Sequence, residues 1–330
     1  MPVLSNDYKP KFIFRNSHIN TMFPFIARHK KKLNFERQRF ITSDDDFVDL
    51  DWLHQDNADK LVILCHGLEG NSDSQYMTYN SDLLFKSGYN VVCLNYRSCS
   101  GEINKNLQMY HSGWTNDLHE VVSAVKDTYD EISLLGFSLG ANMILKYTND
   151  GIYPITPKIK SIVAISTPAD LSKSCAKIIQ RSNILYDIKF RQTLLEKMKL
   201  KHEMFPDDVP IENLKKVKSV RDFDEYFTGP LHGYSGAEDY YSQCNAKQFL
   251  HNTSIPTLMI TAEDDPFFTD HSLPYEIAKE TDLLFFMPTK FGGHVGFTTF
   301  GSNYYWNEVK TKQFFENPFD FVGQYDVISH

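Results

Sequence analysis

Six runs of nearly uninterrupted apolar residues decide what this chain can fold into: LVILCHG from Leu61, YNVVCLNYR from Tyr89, ISLLGFS from Ile132, SIVAIST from Ser161, IPTLMITA from Ile255 and LLFFMP from Leu283. A strand open to water on one face alternates apolar and polar residues, whereas a strand without alternation is buried on both faces. Stretches of helix length separate the runs, Ser74 to Ser87 being one, so the pattern predicts a parallel sheet covered by helices on both sides. Ahead of them RQRFITSDD and DFVDLDWLH do alternate, and they meet at the acidic turn Ser43-Asp44-Asp45-Asp46 as an antiparallel opening hairpin. The expected fold class is α/β, with a mostly parallel sheet of about eight strands.

The 330 residues, 42% of them hydrophobic, suffice for one large core with an insertion. Between Ser172 and Asn252 the strand signal lapses and the chain is helical, charged and aromatic. Its turn signals, Phe205-Pro206-Asp207-Asp208 and Thr228-Gly229-Pro230, divide it into several short helices. The expected organisation is an N-terminal arm over 1–35, a core over 36–171 and 253–330, and a helical insertion over 172–252. An insertion on the carboxyl edge of a parallel sheet lies over the crevice where such sheets bind ligands, so it is expected to act as a lid.

The third run ends in Gly136-Phe137-Ser138-Leu139-Gly140 and leads directly into a helical stretch. Chance yields a GxSxG in about one chain of this length in ten, so the placement carries the argument. A serine on a tight strand-to-helix turn needs glycine two residues before and after it, because the two backbones pass too close for a Cβ. A serine hydroxyl is a weak nucleophile and needs a base to take its proton and a carboxylate to orient that base. Asp264 and Asp265 stand just past the fifth run; Asp265, held extended by Pro266, is the expected acid and Asp264 the alternative. His294, in the glycine-flanked loop after the sixth run, is the expected base, ahead of His251 and His271, which follow no strand. The N–H groups of Leu139 and, in the turn after the first run, Leu68 are the expected oxyanion donors, with His66 bracing that turn.

A net charge of −8 argues against nucleic acid or an anionic membrane as a bulk partner, because both repel an acidic surface, which leaves small-molecule chemistry. Five cysteines in no CxxC or Cys/His spacing, and no HExxH, give no metal site and no disulfide framework; Cys65 and Cys93 read as buried thiols. The serine chemistry needs no cofactor. Neither a signal peptide nor an apolar stretch of membrane-spanning length is present, so the expected location is the cytoplasm. The arm has two readings. Phe12, Ile13, Phe14, Met22, Phe23, Phe25 and Ile26, followed by Arg28, His29 and Lys30 to Lys32, either pack on the domain with the lysines solvated, or touch a membrane surface weakly.

Asn16-Ser17-His18-Ile19-Asn20-Thr21, His66-Gly67-Leu68-Glu69-Gly70 and Asn95-Tyr96-Arg97-Ser98-Cys99-Ser100-Gly101 join the serine motif, Thr261 to Phe267 and Gly292 to Phe297 in one pattern. Over most of its length the chain resembles the YheT-like family of α/β-hydrolases. The resemblance implies an α/β-hydrolase fold, an esterase-type activity, Ser138, Asp265 and His294 as the catalytic set, and Leu68 and Leu139 as oxyanion donors. Arg97 and Asp117, which also fit the family, read as structural ion partners near the site. The expected function is cleavage of carboxylic esters with short- to medium-chain or acylglycerol-like acyl groups through an acyl-enzyme. An acyltransferase using the same residues and a non-catalytic binding protein on the same fold are the alternatives.

Overall fold

The computed structural model describes residues 3–56, 58–269 and 272–328. Strands β1 (Glu36–Ile41), β2 (Phe47–Leu53), β3 (Lys60–Cys65), β4 (Asn90–Asn95), β5 (Glu131–Phe137), β6 (Ile159–Ile165), β7 (Thr257–Ala262) and β8 (Leu284–Thr289) form one sheet. Its order is β1-β2-β4-β3-β5-β6-β7-β8. β2 pairs antiparallel with both β1 and β4, and every other neighbouring pair is parallel, as the alternating hairpin and continuous runs predict.

Helices α1 (Ser17–Ala27), α2 (Gln75–Lys86), α3 (Asn116–Val125), α4 (Leu139–Asn149), α5 (Leu171–Ile178) and α6 (Ile184–Met204) follow in chain order. The lack of alternation in β3 has a direct cause. Leu61, Ile63 and Cys65 face one core, built with Leu118 and Val121 of α3 and Ile144 of α4. Val62 and Leu64 face the other, built with Met77 and Leu84 of α2 and Phe314 of the helix Trp306–Glu316. Burying each such side chain contributes roughly 1.5–3 kcal/mol, on both faces of one strand.

Between β6 and β7 the described residues form helices and turns only, from α5 to the short 3-10 segment Ala246–Asn252. Phe205-Pro206 does end a helix, but that helix, α6, is 21 residues long rather than short. The Thr228-Gly229-Pro230 signal does not break the chain at all. Val220–Phe223, Asp224–Thr228 and Gly229–Leu231 run on as one helical stretch whose middle is a π turn. Proline removes a backbone donor, and the wider π turn absorbs that loss while Thr228 Oγ1 donates to Asp224 Oδ1 at 2.6 Å.

Arg97 links the hairpin to the sheet. Its Nη2 lies 2.7 Å from Asp117 Oδ1, and its Nη1 lies 2.8 Å from Asp44 Oδ2 and 3.3 Å from Asp46 Oδ2 in the β1–β2 turn. The arm corrects its packing expectation in part. Phe14 is buried against Phe23 and Phe300, with ring centroids 4.9 and 5.1 Å away, but Phe12, Ile13, Phe25 and Ile26 are exposed. The cause is the inward stripe of α1, which is polar: buried Asn20 donates to Phe14 O at 2.9 Å and accepts from Thr298 N at 3.0 Å. Among the described residues no helix is long and apolar enough to cross a membrane.

Candidate active site

Ser138 occupies the single position between β5 and α4, with φ 50° and ψ −118°. A non-glycine residue in this region costs on the order of 1–3 kcal/mol and persists only where its surroundings enforce it. The enforcement is visible. A Cβ on Gly136 would stand 2.6 Å from Ala141 Cα, and one on Gly140 would stand 2.3 Å from Cys65 O, so α4 crosses β5 and β3 at glycine distance.

His294 Nε2 is 2.9 Å from Ser138 Oγ, and His294 Nδ1 is 2.8 Å from Asp265 Oδ2. Asp265 is fully buried, its Oδ1 accepting the Phe267 N–H at 2.9 Å, and the Phe267 ring lies 4.4 Å from the imidazole. An aspartate that accepts a hydrogen bond from Nδ1–H holds the tautomer in which Nε2 is free to accept from the serine hydroxyl. Asp264 points elsewhere: its Oδ1 accepts the Gly293 N–H at 2.9 Å, and its Oδ2 is buried without a hydrogen-bond partner among the described residues. Burial, with the charge of Asp265 beside it, pushes the Asp264 carboxyl up to about 6. His251 is exposed on a short 3-10 segment, and His271 lies outside the described residues.

The loop holding His294 is strained, with positive φ at Gly293, Val295 and Phe297, and three side chains fix it. Thr21 Oγ1 accepts the His294 N–H at 2.8 Å, Ser166 Oγ accepts the Val295 N–H at 3.0 Å, and Asn20 accepts from Thr298. The chemical reading of the sequence missed all three. Their signals were the Asn16–Thr21 motif, to which no role was attached, and a serine one residue past the end of β6.

At the end of β3, Gly67 abuts the elbow so closely that a Cβ there would stand 3.3 Å from Ser138 Cβ. His66 is buried; its Nε2 accepts the Tyr96 N–H at 3.2 Å and its Nδ1 donates to Gly67 O at 2.7 Å. Burial drives its pKa down to about 3, so it stays neutral and acts as a brace. The Gly67 and Glu69 N–H groups donate to the hydroxyls of Tyr76 and Tyr110, at 3.0 and 2.7 Å, and Gly70 N–H donates to Gly67 O. The Leu68 N–H has no partner among the described residues, and Leu139 N–H opens a helix, where no internal acceptor exists. Glu69 has φ 56°, and its carboxylate accepts from Tyr110 at 2.8 Å and from Lys197 of α6 at 2.7 Å.

A cavity of ≈ 80 Å³ separates this turn from the insertion. Leu68 and Leu139 line it from the sheet side, Leu194, Met198 and Phe227 from the insertion, and Asp224 and His232 add polar groups.

A mostly parallel sheet with a serine on a strained strand-to-helix turn, and an aspartate and a histidine on the loops after its last two strands, defines the α/β-hydrolase class. The chain belongs to that family: the family profile described as alpha/beta hydrolase fold matches residues 60–297. Within it, YheT of Escherichia coli (strain K12), provisionally named an esterase, is 32% identical over 89% of this chain and 87% of its own. Phospholipase ABHD3 of Bos taurus is 29% identical over 90% of this chain and 74% of its own. Among solved structures, the Pyrococcus furiosus esterase Pf2001 superposes with a TM-score of 0.58 at 18% identity, covering 89% of this chain and 91% of that one, a likeness of fold.

Proposed function

We propose that this chain hydrolyses carboxylic esters through an acyl-enzyme, with Ser138 as nucleophile, His294 as base and then acid, and Asp265 holding the imidazole. The reading rests on the unbroken line Ser138 Oγ, His294 Nε2, His294 Nδ1, Asp265 Oδ2, at 2.9 and 2.8 Å. The names of the relatives point to the same class of bond. His294 takes the hydroxyl proton as Ser138 Oγ bonds to the ester carbonyl carbon, and the carbonyl oxygen becomes an oxyanion facing the Leu68 and Leu139 N–H groups. Collapse expels the alcohol, which leaves with the proton from His294. Water, deprotonated by the same imidazole, then releases the acid and restores the serine. No step calls for a metal or cofactor.

The helices between β6 and β7 serve as the lid, and the cavity beneath them takes the acyl group. Leu68, Leu139, Leu194, Met198 and Phe227 give it an apolar lining suited to an acyl chain. A series of p-nitrophenyl esters of rising chain length tests this. Burst release of p-nitrophenol is expected, with kcat/KM falling once the chain outgrows the cavity, and Ser138→Ala should abolish both burst and turnover while keeping its thermal midpoint. Absence of turnover with every ester, together with no labelling by a fluorophosphonate, would leave a binding protein. Transfer to an added alcohol in preference to water would make it an acyltransferase.

A further inference from the structure

α1 wears its apolar side outward. Of the sixteen exposed large apolar side chains among the described residues, seven fall on residues 12–26 and Phe300. Ile19, Met22, Phe25 and Ile26 recur at helical spacing along one face of α1, while Asn20 and Pro24 on its other side are buried. Phe12, Phe25 and Ile26 are 85%, 68% and 77% exposed. Phe300 extends the patch, 5.9 Å from Phe23, with Lys11 Nζ 4.3 Å from its ring centroid.

The charge of the same segment runs against that of the molecule. Residues 8–35 hold seven Lys or Arg and no Asp or Glu, in a chain of net charge −8. Arg28 and Lys31 are committed to Glu308 and Asp82. Lys9, Lys11, Arg15, Lys30 and Lys32 are exposed and form no ion pair among the described residues. Exposed aromatic and aliphatic side chains ringed by cations without a carboxylate partner match the boundary between acyl chains and anionic headgroups, where the apolar groups sink and the cations reach phosphate.

We propose that the outer face of α1, with Phe12, Ile13 and Phe300, docks on an anionic lipid bilayer. The inner side of α1 carries Thr21 and Asn20, which hold the loop of His294, and His18 Nδ1 lies 3.2 Å from Tyr186 Oη at the start of α6. A bilayer at this face therefore sits against the helix that bridges the histidine loop and the insertion. Binding to lipid is independent of the esterase reading, so either can fail alone.

The test is co-sedimentation of the full chain with vesicles of phosphatidylcholine, alone or mixed with phosphatidylserine. Binding to the mixed vesicles is expected to be at least about tenfold tighter and to weaken as salt rises. Phe25→Asp/Ile26→Asp should lose about tenfold or more with an unchanged thermal midpoint. Lys30→Glu/Lys32→Glu, at exposed positions free of packing, should lose the preference for phosphatidylserine. Equal binding by wild type and both variants, or no binding to either vesicle, overturns the proposal. So does a wild-type dimer that Phe25→Asp/Ile26→Asp converts to monomer without any lipid binding, since the patch would then serve self-association.

Discussion

Ser138, Asp265 and His294 were legible because each is fixed by chain order: one residue past β5, three past β7 and five past β8, all on the carboxyl edge of a parallel sheet. The choice of Asp265 over Asp264 rested on the following proline, and the two carboxylates do turn to different partners. What supports the histidine was not legible, because Thr21 lies 273 positions away and only folding brings the two together. Thr21→Val removes the acceptor and strands the His294 N–H, at a cost of about 1–3 kcal/mol. With the imidazole less well held, kcat is expected to fall roughly tenfold with KM nearly unchanged, since one unit of 1.4 kcal/mol is tenfold in rate. Thr21→Ser, which keeps the hydroxyl, should restore most of the rate. Steady-state kinetics on the three proteins decide it: a fall in Thr21→Ser as deep as in Thr21→Val would remove the hydroxyl from the explanation.

At the level of elements, the strands declared themselves and the insertion did not. A strand buried on both faces leaves an apolar run that nothing else of that length imitates here, whereas a glycine-proline pair signals a break only if no wider turn can absorb it. The long α6 had no local signature of its role, which is to carry Lys197 to Glu69 beside the Leu68 N–H. Both side chains are largely buried, at 18% and 7% exposure. Lys197→Met leaves the Glu69 carboxylate without its countercharge, and breaking a pair of this kind costs about 3–5 kcal/mol. Lower urea midpoints are expected, with the double variant Lys197→Met/Glu69→Gln recovering much of the loss. On the proposed oxyanion role of Leu68, a turn freed from α6 no longer aims that N–H, and kcat should drop by up to the roughly 10²–10³-fold that loss of such a donor costs. An unchanged kcat in Lys197→Met would mean that the turn holds its shape without the insertion.

The molecule as a whole records the site in its response to acid. Burial holds His66, His111 and His232 below their ordinary pKa, so the unfolded chain binds protons that these folded imidazoles refuse, and stability falls as pH drops below about 6.5. Asp224 and Asp264 act in the opposite sense, because burial pushes both up to about 6. Between about pH 4 and 6 their folded carboxyls take up protons that an unfolded aspartate, near 3.9, does not. Their cost is therefore absent at pH 4 and complete above pH 6. Asp264→Asn keeps an acceptor for the Gly293 N–H and cannot ionise. Relative to wild type, its thermal midpoint is expected to rise as pH goes from 4 to 7, with most of the change before pH 6, and to be flat from 7 to 8. Thermal scans across that range check the sign directly: a variant that loses ground as pH rises would mean that the Asp264 carboxylate is stabilised in the fold, in spite of its buried Oδ2.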